Sequence, residues 1–226
     1  MSINEISIPK YSLAEELLNA ISHGLGALFG VVALVLMLAK SVPTGDAFAI
    51  TSSIIYGVSL IILFTISCIY HSLGKNNGKK VMRVLDHDMI YILISGTYTP
   101  YMLVALRPYN VWGLGTSTVA YIMFACVYVF CIIGAVFNSI NIKKFAPLSM
   151  TCYLLSGWTV VSALPVLWNI ITPIGVILLL SGGIVYTIGA VLYAIGSKKK
   201  YFHSLFHVFV LAGAILMFIS VYCFVL

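Results

Sequence analysis

The feature that most constrains this sequence is its division into seven apolar runs. They fall near residues 21–40, 47–72, 85–106, 112–138, 146–167, 172–195 and 203–226, and short charged or Pro/Gly-containing breaks separate them. A helix rises about 1.5 Å per residue, so about 20 apolar residues cross a hydrocarbon layer of about 30 Å. The expected fold is therefore an all-α membrane protein, a seven-transmembrane-helix bundle, with residues 1–226 forming one membrane domain. Composition agrees: 62% of residues are apolar and 8% charged, against about 25% charged in soluble domains. Seven spans use most of the length, so any chemistry must sit among the helices rather than in a separate soluble module.

Orientation follows from the breaks. With seven spans, Lys10, Lys75, Lys79, Lys80, Arg83, Lys143, Lys144, Lys198, Lys199 and Lys200 fall on one side, leaving Lys40 and Arg107 on the other. The positive-inside rule then puts the N-terminus in the cytoplasm and the C-terminus outside it. The same clusters explain the formal charge of +6 as membrane orientation rather than nucleic-acid binding. Residues 1–20 are expected as a cytoplasmic segment. It contains Glu5, Lys10, Glu15 and Glu16, lacks the pattern of a cleavable signal peptide, and carries Leu13, Leu17, Leu18 and Ile21 at the spacing of a short interfacial helix. Cys68, Cys126, Cys131, Cys152 and Cys223 all lie in apolar runs without CxxC spacing and are expected as buried thiols. Pro100, Pro165 and Pro173 are expected to kink or end helices. Gly26 and Gly30 form a GxxxG, a packing signal that also leaves a homodimer open.

Ionisable groups inside apolar helices are costly, so each marks a candidate site. They are few and share one depth. His23 opens the first run, His71 closes the second, Asp86, His87 and Asp88 open the third, and His203 and His207 open the seventh. All fall in the expected cytoplasmic half. His203 and His207 are i and i+4 and share a helix face, a spacing that suits two imidazoles on one metal. His71 as a third ligand makes a three-histidine set with an open fourth position, as in catalytic zinc sites. Interfacial histidines bound to headgroups are the plainer reading of HSLFH by itself; a third histidine and an aspartate at matching depth on other helices favour a metal, and the all-imidazole set favours Zn²⁺ over iron unless Asp86 itself ligates, with copper and nickel still open. Ser67, one turn before His71, can face the same site, or bond back to its own helix. Asp86 is the natural acceptor for a proton from water at the metal, or else caps its helix or pairs with Arg83. His87 and Asp88 point to other faces and are expected at the surface or behind the ligands. Glu16, Asn19 and His23, at i, i+3 and i+7, form one stripe that either orients the site, binds a lipid headgroup or fixes the helix end.

These residues resemble a known pattern. Glu16-Leu-Leu-Asn-Ala-Ile-Ser-His23, Ser67-Cys-Ile-Tyr-His71, Leu85-Asp86-His87 leading to Gly96-Thr-Tyr-Thr-Pro100, and His203-Ser-Leu-Phe-His207 stand in the order found in the bacterial hemolysin III family, which belongs with the progestin and adipoQ receptors. The resemblance spans nearly the whole chain. It implies a seven-helix bundle in the bacterial plasma membrane, with zinc held by His71, His203 and His207, Asp86 holding the water at the zinc, and Ser67 lining the site. The wider group looks related to alkaline ceramidases, which implies hydrolysis of a lipid amide such as a ceramide-like or fatty-acyl substrate. Three functions stand: a zinc-dependent intramembrane hydrolase, a receptor or regulator of membrane lipid state with a structural zinc, and a pore-forming cytolysin. The pore ranks last, because the outer halves of the runs offer only scattered Ser, Thr, Asn and Tyr to line one.

Overall fold

The computed structural model describes residues 3–110, 113, 117–196 and 199–226. Lys198 and residue 112, the expected start of the fourth run, lie outside the described residues. Among the described residues the regular structure is helical, and seven helical segments are long and apolar enough to cross a membrane.

The helix ends follow from local chemistry. α1 (Leu13–Ser41) opens on a capping box, in which the Ser12 hydroxyl accepts from the Glu15 backbone N–H and the Glu15 carboxylate accepts from the Ser12 N–H at 2.9 Å. The short interfacial helix expected before residue 21 is instead the first two turns of α1. Leu13, Leu17, Leu18 and Ile21 form its exposed outer face. Gly45, at φ 67°, makes the turn to α2 (Ala47–Ser72), whose first turn Asp46 caps through the Phe48 N–H at 2.9 Å. α3 (Asn77–Pro100) is capped by Asn76 and begins well before the expected residue 85. A polar first stretch hid that start from a reading based on apolar runs. Past Pro100, which has no N–H to donate, α3 continues as a π-helical turn over Tyr101–Leu106.

α4 spans Thr118–Ile140, and α5 (Ala146–Trp158) passes through a 3-10 turn (Thr159–Ala163) into α6 (Leu164–Ile170), the pair making one crossing. Pro165 lies in the first turn of α6, where its missing N–H costs nothing. α7 (Thr172–Gly196) and α8 (Phe202–Phe224) complete the set. Chain neighbours pack side by side around a ring that α8 closes against α1, while α3 also meets α5; α5 and α7 touch only sparsely.

The ring is apolar outside and polar within at one end. Leu25, Leu28, Val32, Ile132, Ile174 and Val191 are exposed, whereas Asn19, His23, Ser67, His71, Lys79, His203 and His207 are buried. This inversion suits a hydrocarbon solvent, in which apolar side chains lose nothing by facing outward. It also corrects the expectation for the cysteines. Cys131 and Cys152 are buried and Cys68 is half-buried, but Cys126 and Cys223 face outward. The Gly26–Gly30 face is used inside the chain: a Cβ on Gly26 would lie 2.5 Å from the Phe64 ring, and one on Gly30 would lie 3.0 Å from the Ile61 backbone nitrogen. Close approach of α1 to α2, rather than to a second copy, accounts for that motif.

Candidate metal centre

Four helices deliver the polar groups to one end of the bundle, the end at which α1, α3 and α8 begin and α2 stops. His71, His203 and His207, all buried, bring one ring nitrogen each within 4.8 Å of one another, a set able to hold a metal ion. The Nε2 atoms of His203 and His207 lie 3.1 Å apart. Two imidazoles bound to one zinc at about 2.0–2.1 Å in a tetrahedron keep their nitrogens about 3.3 Å apart, so this pair already has nearly that separation.

His71 gives the sharpest test of fit. Its Nδ1 lies 2.7 Å from Glu16 Oε2. A carboxylate can only accept, so Nδ1 carries the proton and Nε2 is left with a free lone pair. That Nε2 is buried and has no hydrogen-bond partner among the described residues. An orphaned imidazole nitrogen aimed at two others, with a carboxylate behind the ring, is the arrangement metal sites use to fix a histidine's tautomer. The residues therefore fit a divalent ion. The Asn19 amide nitrogen lies 3.3 Å from the same Nδ1, but with that nitrogen protonated towards Glu16 both are donors, so Glu16 is the member of the α1 stripe that holds this ring.

The third member of the stripe behaves differently. His23 lies against His207, with ring centroids 3.8 Å apart and the rings tilted by 38°, and meets Phe64 edge-on at 5.0 Å. It does not join the three-histidine set, and neither of its nitrogens has a partner among the described residues.

Asp86 and Ser67 lie on the wall of a cavity that also reaches His23, His87 and His203. The cavity holds about 1140 Å³ including its open mouth, and runs along Leu93, Ile94, Leu154, Trp158, Val210 and Met217. Asp86 is half-buried and faces Ser67, His71 and Arg83. Because α3 starts at Asn77, Asp86 lies inside the helix and is not its cap. Among the described residues the buried Ser67 hydroxyl has no partner on its own helix and lies against Asp86.

Two expectations need correction. Asp88 is neither at the surface nor behind a ligand. It is buried in the α3–α4 interface, where its two oxygens accept from Asn138 Nδ2 at 2.7 Å and Ser139 Oγ at 2.6 Å. His87 lines the cavity, with its Nε2 3.4 Å from the Tyr193 hydroxyl.

Two contributors escaped the sequence reading. Lys79, in the break between the second and third apolar runs, lies buried in the first turn of α3, its ammonium 2.6 Å from Glu16 Oε1. Tyr11 stacks on His203 with ring centroids 4.8 Å apart and planes at 15°. It covers the histidines from the N-terminal side, on a segment further tied down by Arg83 bonding to the Ser7 carbonyl. No spacing signal marks either residue, since both lie in ordinary polar flanks of apolar runs.

Comparison with known proteins points to one family. The family described as "Haemolysin-III related" matches residues 11–218, a stretch that includes every residue of the candidate centre. Over 212 residues the chain is 35% identical to "Hemolysin-3" of Bacillus cereus, covering 94% of this chain and 92% of that protein. It is also 35% identical over 215 residues to a "Hemolysin-3 homolog" of Bacillus subtilis (strain 168), covering 94% and 96% respectively.

Proposed function

The chain belongs to the haemolysin-III family of multi-pass membrane proteins of the bacterial plasma membrane, and from that premise we propose that it is a zinc-dependent hydrolase of lipid amides, ceramidase-like in its chemistry. The observation that carries this reading is the convergence of His71, His203 and His207 beside a cavity that Asp86 and Ser67 line.

Held by the three imidazoles, zinc supplies a Lewis acid that polarises a carbonyl and acidifies water. The chain's own residues do the rest. The apolar wall of Leu93, Ile94, Leu154, Val210 and Met217 takes an acyl chain out of the bilayer. Ser67, beside Asp86 on the cavity wall, is placed to offer its hydroxyl as a hydrogen-bond donor to the amide carbonyl oxygen. Asp86 takes a proton from water as the water oxygen bonds to the carbonyl carbon. It returns that proton to the amine nitrogen as the C–N bond breaks, so that an acid and an amine leave. The N-terminus is cytoplasmic in this reading, which puts the centre in the inner half of the membrane, and the sparse contact between α5 and α7 leaves a lateral route for a lipid.

The test is direct. Purified protein should hold one zinc per chain and turn over a ceramide-like lipid, with His207→Ala losing both. Zinc-loaded protein inert towards a broad panel of lipid amides and esters would overturn the enzymatic reading.

A second reading is favoured by the tie that the three histidines make between α2 and α8, with α1 behind them through Glu16. In it the metal is structural, and the bundle is a receptor or regulator of membrane lipid state. His71→Ala would then lower thermal stability in detergent with no turnover to lose.

A further inference from the structure

Lys79 is placed where a loop lysine is not expected. Its side chain is 2% exposed. The ammonium donates to Glu16 Oε1 at 2.6 Å and to the Leu73 carbonyl at 2.9 Å, and it sits 5.2 Å from the centre of the Tyr70 ring. An ammonium is costly to desolvate unless it is paired and its protons are bonded; here both conditions hold. Glu16 is shared. One oxygen receives Lys79 and the other receives His71 Nδ1–H. Among the described residues Lys79 is the one lysine or arginine ion-paired with that carboxylate.

We propose that Lys79 is a positioning residue of the metal centre: acting through Glu16, it holds His71 with Nδ1–H donating and Nε2 aimed at His203 and His207, and so sets how tightly the ion is bound. The inference rests on the metal reading above. The geometry explains why Glu16 needs a second anchor. Glu16 belongs to α1 and His71 to α2, so the carboxylate must reach across a helix boundary with a flexible side chain. Lys79 approaches from the start of α3 and is itself fixed by the carbonyl of Leu73, the residue that ends α2. Three helix termini thus converge on one carboxylate. An ionised carboxylate makes a shorter and stronger bond to the imidazole than a neutral acceptor, and the Lys79 ammonium keeps that carboxylate in place. Partners in this outer position are worth about 10–100-fold in metal affinity.

A purely structural lysine would tether α1 to α3 and affect folding alone. Zinc affinity separates the two roles, measured on purified full-length protein in detergent by competition with a chelator of known affinity, beside the melting temperature of the zinc-saturated protein. Lys79→Met is expected to bind zinc at least tenfold more weakly than wild type. Lys79→Arg, which keeps charge and donors, recovers most of that loss. In a Glu16→Gln background, Lys79→Met causes no further loss, because its effect passes through the carboxylate. Lys79→Gln, which keeps a donor for the Leu73 carbonyl, serves as the variant if Lys79→Met does not fold. Wild-type affinity in the folded variants, or losses that multiply in the Glu16→Gln background, would overturn the proposal while leaving the metal reading intact. Wild-type protein that takes up no zinc would overturn both.

Discussion

Asp86 and His23 show how differently two buried-end polar residues can be used. Asp86 opens onto the cavity beside Ser67 and faces His71, without belonging to the three-histidine set. Its replacement should therefore separate chemistry from binding. Asp86→Asn is expected to retain one zinc per chain by metal analysis while losing about 10²–10⁴-fold in lipid turnover, the usual contribution of a positioned general base. His23 carries the opposite expectation. It packs by a tilted ring contact on His207 and an edge-on contact with Phe64 rather than as a ligand. His23→Phe should keep the zinc stoichiometry of wild type, and loss of the metal in that variant would place His23 among the ligands.

At the scale of elements, α3 carries both the site and its support. One turn displays Asp86 to the cavity while Asp88, two residues on, turns into α4 and is held by Asn138 and Ser139. Removing that carboxylate leaves the buried Asn138 amide unpaired, at about 1–3 kcal/mol, whereas the exposed Ser139 hydroxyl can bond elsewhere. Asp88→Ala should accordingly lower the melting temperature in detergent while zinc content is unchanged. The segment before α1 works as a cover. Ile6 is buried, Arg83 bonds to the Ser7 carbonyl, and the Tyr201 N–H donates to Glu15 at 2.9 Å. Burial holds the Tyr11 hydroxyl above the ordinary phenol range, so the ring lies over His203 as a neutral plate.

For the whole molecule, the unequal packing around the ring decides how a lipid reaches the centre. α5 and α7 make few contacts with each other, and Gly157 and Gly183 line the cavity between them. A Cβ on Gly157 would meet no atom within 4 Å. A larger side chain there fits the fold yet occupies the route. Gly157→Leu should therefore keep zinc content and melting temperature but slow turnover of long-chain substrates more than short-chain ones. Equal slowing for all chain lengths would argue for entry elsewhere.

The seven crossings and the three histidines of the candidate centre were legible in the chain because each depends on chemistry that sequence order carries directly. Apolar runs long enough for a bilayer number the helices, and ionisable residues too costly to leave in hydrocarbon stand out against them. The HSLFH spacing places two imidazoles on one face before any coordinates are known. What joins residues far apart in the chain was not legible. The meeting of His71 with His207 across α2 and α8, the burial of Lys79 against Glu16, the stacking of Tyr11 on His203 and the Asp88 strut all depend on which helix lies beside which. Side-chain spacing along one helix specifies a face. Only the packed ring determines what that face meets, because in lipid the neighbours are selected by close fit and hydrogen bonding rather than by hydrophobicity.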